Sequence, residues 1–223
     1  HEDAARGIRR EAVTLKSLAG RTIFNIPKVQ LFQDWHGGCA LRVSAVPQGQ
    51  KIYNKAHPLP VALFKAVADL RSEDFPKFLP AQQIPGWSTA LAYARSLEIC
   101  RVAMAIDPEA HFSVSAAHRD LGSENIFSYQ PAKSTSDFTL IDWEFFTETA
   151  PALTDRVGVW LGCHHRAIKG MRKANVNKLT TIFLADFDPA PGGRPAAVLA
   201  LLHLAEMGID LARVMTGDVR GIA

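Results

Sequence analysis

The stretch His118–Asn125, which reads His-Arg-Asp-Leu-Gly-Ser-Glu-Asn, decides how the rest of this chain is interpreted. It places an imidazole, a carboxylate and a carboxamide together in one short segment. Further along, the run Leu140–Glu144 (Leu-Ile-Asp-Trp-Glu) is an apolar segment that leads into a second acid, Asp142. The chemistry of these two segments is therefore the starting point for both fold and function.

The spacing within the first segment is that of a kinase catalytic loop, H-R-D-L-x-x-x-N. Phosphoryl transfer needs such a set, because one acid accepts the proton of the attacking hydroxyl while a carboxamide and a second acid hold the metal on the phosphates. The alternative is an ordinary loop in which Asp120 caps a helix and Asn125 occupies a turn. Five fixed identities at roughly 5% usage each match by chance about once in ten thousand chains of this length, which favours the phosphotransferase interpretation.

Both segments resemble the aminoglycoside phosphotransferase and choline kinase superfamily, whose fold is similar to that of protein kinases. That family commonly carries H-G-D-x-x-x-x-N followed by I-D-W-E or I-D-F-E, where this chain has HRDLGSEN and IDWE. Arg119 is closer to the protein-kinase form, whereas the Trp-Glu pair after Asp142 is closer to the small-molecule kinases. A fainter likeness extends upstream to Glu11 and downstream to Asp155, but only the two segments match sharply.

The resemblance implies a role for each chemical side chain of the two segments. Asp120 is the catalytic base that orients the acceptor hydroxyl and takes its proton late in the reaction. His118 belongs to the same catalytic set and fixes the loop by hydrogen bonding, with a simply packed histidine as the alternative. Asn125 and Asp142 coordinate Mg²⁺, a hard ion that prefers oxygen ligands. The implied cofactors are ATP, or GTP, together with Mg²⁺.

Three further residues are expected to contact the nucleotide. Glu11 lies on a helix like the family's αC, where it would pair with the lysine that binds the phosphates; a solvated glutamate is the alternative. Ser44 and Val46 fall at the family's hinge, where extended backbone pairs with adenine, although a plain strand end fits the same residues. The sequence thus places a nucleotide site upstream of the catalytic loop.

One departure from the family concerns the glycine-rich loop and the strand lysine, which should precede Glu11. The first lysine of the chain is Lys16, the chain begins with His1, and no G-x-G-x-x-G occurs. Because both chemical segments are intact, we expect the missing strands to have been omitted or truncated from this sequence, not lost from a degraded kinase.

The resemblance implies an α+β, protein-kinase-like fold. Residues 1–46 would form a truncated, β-containing N-terminal lobe, and residues 47–223 a mostly helical C-terminal lobe with a catalytic hairpin. Hydrophobic spacing predicts helices at 2–19, 58–70, 88–105 and 155–171, and a last helix from Pro195. Alternation predicts strands at 27–33 and 39–46 with a turn at 36–38, and a hairpin of 126–129 and 138–142. That hairpin would bring Asn125 and Asp142 to one metal.

Composition excludes several other classes of protein. The 223 residues carry a net charge of +3 and 48% hydrophobic residues, as a soluble globular protein does. Basic clusters with interleaved aromatics are absent, so no nucleic-acid partner is expected. No apolar stretch is long enough to span a bilayer.

The odd cysteine set of Cys39, Cys100 and Cys163 indicates a reducing compartment, so we expect a cytoplasmic protein. Cys163-His164-His165 is not a zinc site, since adjacent residues point in different directions.

The acceptor is expected to be a small hydroxyl compound such as an aminoglycoside, choline or a sugar. Glu144, two residues beyond Asp142 on an extended segment, would point the same way and assist a second metal or contact a cationic acceptor. Aromatic side chains could wall an acceptor by stacking, although core packing is the simpler interpretation; they are Trp143, Phe145, Phe146 and Trp160. The function implied is an ATP-dependent small-molecule phosphotransferase. The alternative is a pseudokinase binding module or a fragment, and the sequence leaves the oligomeric state open.

Overall fold

The computed structural model describes residues 2–36, 38–54, 58–87, 97–169 and 173–216, which form a mixed α/β structure with small sheets and several helices. In chain order the described elements are α1 (Glu2–Leu18), β1 (Val29–Trp35), β2 (Gly38–Val43), β3 (Lys51–Ile52), α2 (Val61–Ala68), β4 (Phe78–Pro80), α3 (Leu97–Met104), β5 (His111–Ala117), β6 (Ile126–Ser128), β7 (Phe138–Leu140), β8 (Thr147–Pro151), α4 (Thr154–Cys163), α5 (His165–Lys169), α6 (Lys173–Phe187), α7 (Gly193–Glu206) and α8 (Asp210–Met215). Short 3₁₀ turns at Ala81–Gln83, Ser123–Asn125 and Thr135–Asp137 link some of them. None of the described helices is both long and apolar enough to pass through a bilayer.

The chain divides into two compact units. The first combines His1–Ser72 with Ala116–Glu148, and the second combines Glu73–Ser115 with Thr149–Ala223. Each unit is therefore built from two separate stretches of sequence. The division into units does not test the predicted boundary between two lobes at residue 46, which stays a prediction.

In the first unit, α1 packs on a two-stranded antiparallel ribbon of β1 and β2. Helical spacing gives α1 one apolar face, with Ala12, Leu15 and Leu18 buried. The ribbon is tied to this helix by an ion pair between Arg9 and Asp34, with an Nη2–Oδ1 distance of 2.8 Å. A separate antiparallel sheet has the order β3-β6-β7. The predicted hairpin is confirmed as β6 and β7.

The second unit is mainly helical. Helices α3, α4, α6, α7 and α8 share one apolar core, in which α7 is the central contributor because residues 197–205 are all buried. A three-stranded sheet of order β4-β5-β8 accompanies the helices, and β4 and β5 pair antiparallel. Hydrophobic periodicity predicted helices in the regions of α3, α4 and α7, whereas α6 and α8 were not predicted as separate helices.

Several predicted boundaries are corrected by the structure. The helix predicted over 155–171 is two helices, α4 and α5, which break at His164. The ring of His164 stacks on Trp160, and its Nδ1 lies 2.9 Å from the Trp160 carbonyl oxygen. The His164 backbone amide donates to the same oxygen, so the side chain and the backbone share one acceptor in the last turn of α4. The last helix, predicted from Pro195, is two helices, α7 and α8, because Gly208 between them adopts a φ of 90° that only glycine tolerates easily. Residues 170–172 lie outside the described residues.

The remaining predictions of secondary structure shift by a few residues. The first helix is confirmed at Glu2–Leu18, and the 58–70 helix is shorter, at Val61–Ala68. The strands predicted at 27–33 and 39–46 are observed at Val29–Trp35 and Gly38–Val43. For the helix predicted at 88–105, only Leu97–Met104 is described as helix, and residues 88–96 lie outside the described residues. Gly37 of the predicted turn is also outside them.

Candidate functional site

The carboxamide of Asn125 fixes the position of Asp120. Asn125 closes the 3₁₀ turn Ser123–Asn125 and is only 6% exposed. Its Nδ2 donates to the Asp120 backbone carbonyl at 2.8 Å and to Asp120 Oδ2 at 3.1 Å. Because the amide nitrogen is used in this way, the carboxamide oxygen is the atom of Asn125 that can serve as a ligand.

The β6–β7 hairpin brings the second acid to the same place. Ile126 is opposite Leu140 in the antiparallel register, and the Ile141 backbone amide donates to the Asn125 carbonyl at 3.1 Å. Asp142 follows immediately after Ile141, so it lies at the same end of the hairpin as Asn125. The sequence interpretation brought these two residues together through a hairpin, and the structure has that hairpin.

Two non-glycine residues of the site have left-handed backbone conformations. Arg119 has a φ of 70° and Asp142 a φ of 63°, and no other non-glycine residue in the described part of the chain has a positive φ. Such conformations cost about 1–3 kcal/mol and persist where the surroundings impose them, which is common at active sites. The Arg119 Nε donates to the Phe145 backbone carbonyl, which connects the two strained segments.

His118 is fully buried and holds the catalytic loop to the second segment. Its Nε2 lies 2.8 Å from the Ile141 carbonyl oxygen, and the Asp120 backbone amide donates to its Nδ1 at 3.4 Å. Burial lowers its pKa to about 4, with the Ile141 hydrogen bond opposing that shift. The ring is therefore neutral near pH 7, with the proton on Nε2, and the geometry fits the loop-fixing role better than that of a base.

Trp143 is a core residue. It is completely buried, lies parallel to Phe24 with ring centroids 5.9 Å apart, and donates from Nε1 to the Leu140 carbonyl at 2.9 Å. The His118 ring lies 4.5 Å from it. Of the two interpretations of this aromatic residue, core packing is therefore confirmed. It anchors the segment that carries Asp142.

The acids of the site repel one another. Burial raises the pKa of Asp120, the charges of Asp142 and Glu124 raise it further, and the hydrogen bond from Asn125 lowers it. Burial also raises the pKa of Asp142. For Glu11, burial and then the charge of Asp142 raise the pKa. A half-buried group of carboxylates that destabilise each other's charged forms is a natural place for a cation.

Two further glutamates lie near this group of acids. Glu11 is a residue of α1, and Glu144 packs against Gly7 of the same helix. The backbone of Trp143 provides a hydrogen bond that lowers the pKa of Glu11. Burial, Asp142 and Asp120 raise the pKa of Glu144, whereas Arg10 lowers it. The segment from Asp142 to Glu144 is not extended as predicted, because the left-handed Asp142 interrupts it and a turn follows. That Glu144 points the same way as Asp142 stays a prediction.

The two predicted hinge residues lie between β2 and β3. The Ser44 amide donates to the Lys28 carbonyl, and Ser44 Oγ accepts from the Lys28 amide, both at 2.9 Å. Since its N–H is already bonded, only the carbonyl of Ser44 is suited to a new backbone contact with a base. Val46 lies in the irregular segment that follows β2. Their contact with a nucleotide stays a prediction.

The donors present suit magnesium better than a transition metal. No group of three or more His, Cys, Asp or Glu among the described residues has the geometry of a metal site. Mg²⁺ does not need such a cage, because it commonly uses one or two protein oxygens together with substrate phosphates and water. The Asp142 carboxylate and the Asn125 carboxamide oxygen are compatible with that mode of binding.

Sequence reasoning missed the residues that face the acids from α1. Gly7, Arg10 and Thr14 lie at helical spacing on one side of this helix, and a Cβ on Gly7 would lie 1.8 Å from Glu144 Oε2. A glycine inside a helix and an arginine three residues later were the signals available. These signals can be interpreted only in the structure, where Glu144 packs against this side of α1.

Comparisons with known proteins returned only structural likenesses. Neither a family model nor a curated protein matches the sequence. The structure is similar to that of LicA in complex with AMP, with 14% identity, a TM-score of 0.41, and coverage of 92% of this chain and 73% of that chain. A structure of the choline kinase LicA from Streptococcus pneumoniae gives 15% identity, a TM-score of 0.40, and coverage of 91% and 74%. A likeness at this level does not establish the family of the chain.

Proposed function

We propose that this chain is an ATP-dependent phosphotransferase that moves the γ-phosphate to a hydroxyl of a small molecule. The observation that carries the proposal is the position of Asn125 between the two acids. Its carboxamide is bonded to Asp120, and its backbone carbonyl is bonded to Ile141, the residue before Asp142. A base and a cation-binding acid held at one place are the groups that phosphoryl transfer needs.

In the proposed reaction, Asp120 orients the acceptor hydroxyl and takes its proton. Burial and the neighbouring carboxylates raise the pKa of Asp120, which makes its charged form a stronger proton acceptor. His118 keeps the loop in place from its neutral ring. Oxygens of Asn125 and Asp142 would hold Mg²⁺, which when bound neutralises charge on the phosphates. The nucleotide, ATP or GTP, would meet the backbone near Ser44.

The proposal includes a cytoplasmic location and a small-molecule acceptor as partner. All three cysteines are free thiols, which is usual in a reducing compartment. Aminoglycosides, choline and sugars are all small hydroxyl compounds and are the acceptors proposed.

The first test is the substitution Asp120→Asn in the complete protein. Turnover should fall at least ~10²-fold because the proton acceptor is lost, whereas the nucleotide-dependent shift in melting temperature should persist. The control is Asp69→Asn, which alters an exposed carboxylate paired with Lys65 in the same unit. The measurement is an acceptor screen with Mg²⁺ and ATP. Unchanged turnover in Asp120→Asn would remove Asp120 from the role of base.

A nucleotide-binding module without turnover is the second candidate. The observation that favours it concerns Glu11, whose hydrogen bond comes from the backbone of Trp143 and whose pKa is raised by burial and then by the charges of Asp142 and Glu144. In an active kinase-like site this glutamate would pair with a lysine. Nucleotide binding with no turnover across a broad acceptor screen would support this second candidate over the enzyme.

A further inference from the structure

A pocket of ≈ 530 Å³ lies in the first unit, where the end of α1 meets the segment that leads into β1. Every residue that lines it falls between Leu15 and Val29, so the whole pocket lies within the described part of the chain. Asp120, Asn125 and Asp142 do not line it. The proposed phosphotransferase therefore assigns no role to this pocket.

The walls of the pocket are largely apolar. Leu15 and Phe24 line it as buried residues, and Pro27 is buried as well. The side chains of Ile26 and Val29 are partly buried and add further apolar surface. Because a ligand that covers such walls removes apolar area from water, the pocket favours a ligand with an apolar body.

The uncharged polar side chains of the pocket have already used their donors. Thr22 Oγ1 donates to the Phe24 carbonyl at 2.8 Å. Asn25 Nδ2 donates to the carbonyls of Ser136 and Phe138, at 2.8 Å and 3.3 Å. A ligand with many hydroxyl groups, such as a sugar, would therefore find few side-chain donors here. The charged side chains remain to bind the polar part of a ligand.

Two ammonium groups, those of Lys16 and Lys28, supply the charge of the pocket, and no acid lines it. Neither lysine forms an ion pair with an acid in the described part of the chain. Lys16 Nζ lies 5.3 Å from the centroid of the Phe32 ring, a contact that leaves its positive charge uncompensated by any carboxylate.

The acids of the proposed site do not cancel these two charges. Glu11 precedes Lys16 on α1, and burial and then the charges of Asp142 and Glu144 raise its pKa. A lysine paired with a carboxylate would lower its pKa instead. Burial is also the first cause of the raised pKa values of Asp120, Asp142 and Glu144, and no lysine contributes to any of these shifts.

The remaining acids of the first unit have other partners or lie far along α1. Glu2 and Asp3 are in the first turn of α1, roughly 20 Å from Lys16 at 1.5 Å per residue. The other carboxylates accept hydrogen bonds from other groups, which are the Arg9 side chain for Asp34, the Lys65 ammonium for Asp69, the Ser123 hydroxyl for Glu124, the amides of Lys133 and Ser134 for Asp137, and the Ser72 amide for Glu148. The positive charge of the pocket is therefore not neutralised within its unit.

The pocket is joined to the segment that carries Asp142. The ring of Phe24 lies parallel to that of Trp143, the residue after Asp142, with centroids 5.9 Å apart. The backbone of Asn25 bonds to β7 through its amide at 2.8 Å and through its carbonyl at 3.0 Å. A ligand in the pocket would therefore rest on residues that also support the proposed site.

We propose that this pocket binds a small apolar molecule that carries one carboxylate group. The apolar body covers Leu15 and Phe24, and the carboxylate forms charge-assisted contacts with the ammonium groups of Lys16 and Lys28. A cationic ligand is repelled by these groups, and an uncharged one leaves them without a partner. The site is separate from the acceptor and nucleotide sites of the proposed function and goes beyond that function.

Phenylbutyrate is the probe for the test, since it joins a benzene ring to a carboxylate through a short aliphatic chain. Its dissociation constant is measured by calorimetry on the complete protein at fixed pH and ionic strength. Lys16→Gln and Lys28→Gln should each raise that constant at least ~3-fold, and the double variant at least ~8-fold, because an ion pair at an exposed site is lost. The matched control is Lys65→Gln, which removes an equal charge from an exposed residue of the same unit; it should change the constant by less than ~1.5-fold.

Two related ligands separate the carboxylate from the apolar body. Phenylbutyramide keeps the body and loses the charge, so it should bind the wild type more weakly than phenylbutyrate and bind the double variant as well as the wild type. Butyrate keeps the carboxylate and lacks the ring, so it should bind more weakly than phenylbutyrate. Equal affinity of phenylbutyrate for the wild type and the double variant overturns the proposal, as does the absence of any binding to the wild type.

The nucleotide is the other source of an anionic ligand, because the Lys28 amide is bonded to Ser44, near which the nucleotide is expected. The titration is therefore repeated with saturating ADP and Mg²⁺. Phenylbutyrate that still binds supports a separate site, whereas phenylbutyrate displaced by ADP overturns the proposal and assigns the pocket to the nucleotide. If ADP itself does not bind, the proposed function fails, while binding of phenylbutyrate that depends on the two lysines still supports the pocket.

Discussion

Asn125 forms hydrogen bonds to both segments that carry the acids of the site, using a different atom for each. These bonds hold Asp120 and Asp142 near each other although their charges repel. The carboxamide nitrogen is bonded to Asp120, and the backbone carbonyl is bonded to Ile141, next to Asp142. Burial and then the charges of Asp142 and Glu124 raise the pKa of Asp120, and burial raises the pKa of Asp142, so the hairpin and the surrounding packing hold the charged site together against its own electrostatics. A bound cation would relieve that repulsion.

This electrostatic conflict predicts an unusual response to Asp142→Asn. Without divalent cations, the variant should be more stable than the wild type by up to about 1 kcal/mol, because a half-buried, repelled charge is lost. Asn also tolerates the φ of 63° at this position. Millimolar Mg²⁺ should raise the melting temperature of the wild type and leave that of Asp142→Asn unchanged, as measured by calorimetry with Na⁺ at matched ionic strength.

The matched control for this prediction is Asp69→Asn, an exposed carboxylate on α2 that pairs with Lys65. It should keep the magnesium response in full. An Asp142→Asn protein that is stabilised by Mg²⁺ as much as the wild type would show that the ion binds elsewhere.

His118 predicts how stability depends on pH. Its folded pKa of about 4 is below the usual 6.5, so the unfolded chain binds more protons between these values. Its contribution is complete above pH 6.5 and is lost as the pH falls toward 4, with roughly 2 kcal/mol lost by pH 5. Urea unfolding at pH 7 and pH 5 should show this loss in the wild type. His118→Gln can still donate to Ile141 but does not titrate, so it should lose less.

The carboxylates of the site act in the opposite direction. Their raised pKa values mean that the folded state gains protons first, so their charges destabilise the fold at neutral pH and less so as the pH falls. Because Asp120 and Asp142 are present in both proteins, the difference between wild type and His118→Gln isolates the histidine. Equal loss of stability in the two proteins would contradict the burial of a neutral imidazole.

The sequence predicted which residues form the proposed site, but it did not predict all of their backbone conformations. The motif gave Asp120, Asn125 and the acid that follows the second strand. The left-handed φ of Arg119 had a signal, because the family that the motif resembles commonly has glycine there. The equivalent conformation at Asp142 had none, and for that reason the extended backbone predicted from Asp142 to Glu144 was wrong. A strand pattern cannot show where tertiary packing ends the extended backbone.

At the scale of elements, α1 contributes both a core face and a polar face to the site. Ala12, Leu15 and Leu18 of its apolar face are buried. The other face includes Gly7 and Arg10, against which Glu144 packs, and a Cβ at residue 7 would collide with Glu144 Oε2. Glycine costs a helix interior about 1 kcal/mol relative to alanine, so its presence here is explained by the close approach of Glu144.

A double-mutant cycle tests that explanation. Gly7→Ala in the Glu144→Ala background should be stabilising by up to about 1 kcal/mol, since helix propensity then acts alone. In the wild-type background the same change forces the Glu144 side chain to move, so the gain should be smaller by at least ~0.5 kcal/mol. The free energy of unfolding in urea measures both. An identical effect of Gly7→Ala in the two backgrounds would show that Glu144 does not pack against the helix.

The boundaries of helices and strands were predicted well where a local sequence signal sets them. They were predicted poorly where a side chain takes part in hydrogen bonding at the end of a helix. The start and end of α1 and the existence of the β6–β7 hairpin followed from hydrophobic spacing and turn residues. The break between α4 and α5 did not, because it depends on the His164 ring and its contacts with Trp160. A periodic apolar pattern continues through that residue without interruption.

At the scale of the whole molecule, the proposed site belongs to one compact unit that two distant stretches of chain build together. His1–Ser72 supplies α1, and Ala116–Glu148 supplies the catalytic loop and hairpin. The sequence interpretation divided the chain once, near residue 46, and that lobe boundary stays a prediction. The sequence alone did not show that a later segment joins an earlier one in a compact unit. The remaining chain forms the second unit, with its own helical core.

This organisation predicts where a ligand protects the protein against hydrogen exchange. ATP with Mg²⁺ should slow the exchange of amides in α1 and in residues 116–148, because binding stabilises the unit that holds the site against local opening. The buried amides of α7, in the helical core of the second unit, should exchange at the same rate with and without the nucleotide. Asp142→Asn should remove the magnesium-dependent part of this protection while it keeps the exchange pattern of the free protein. Protection that is greatest in α7 would place the nucleotide in the other unit and would contradict the site built here around Asn125.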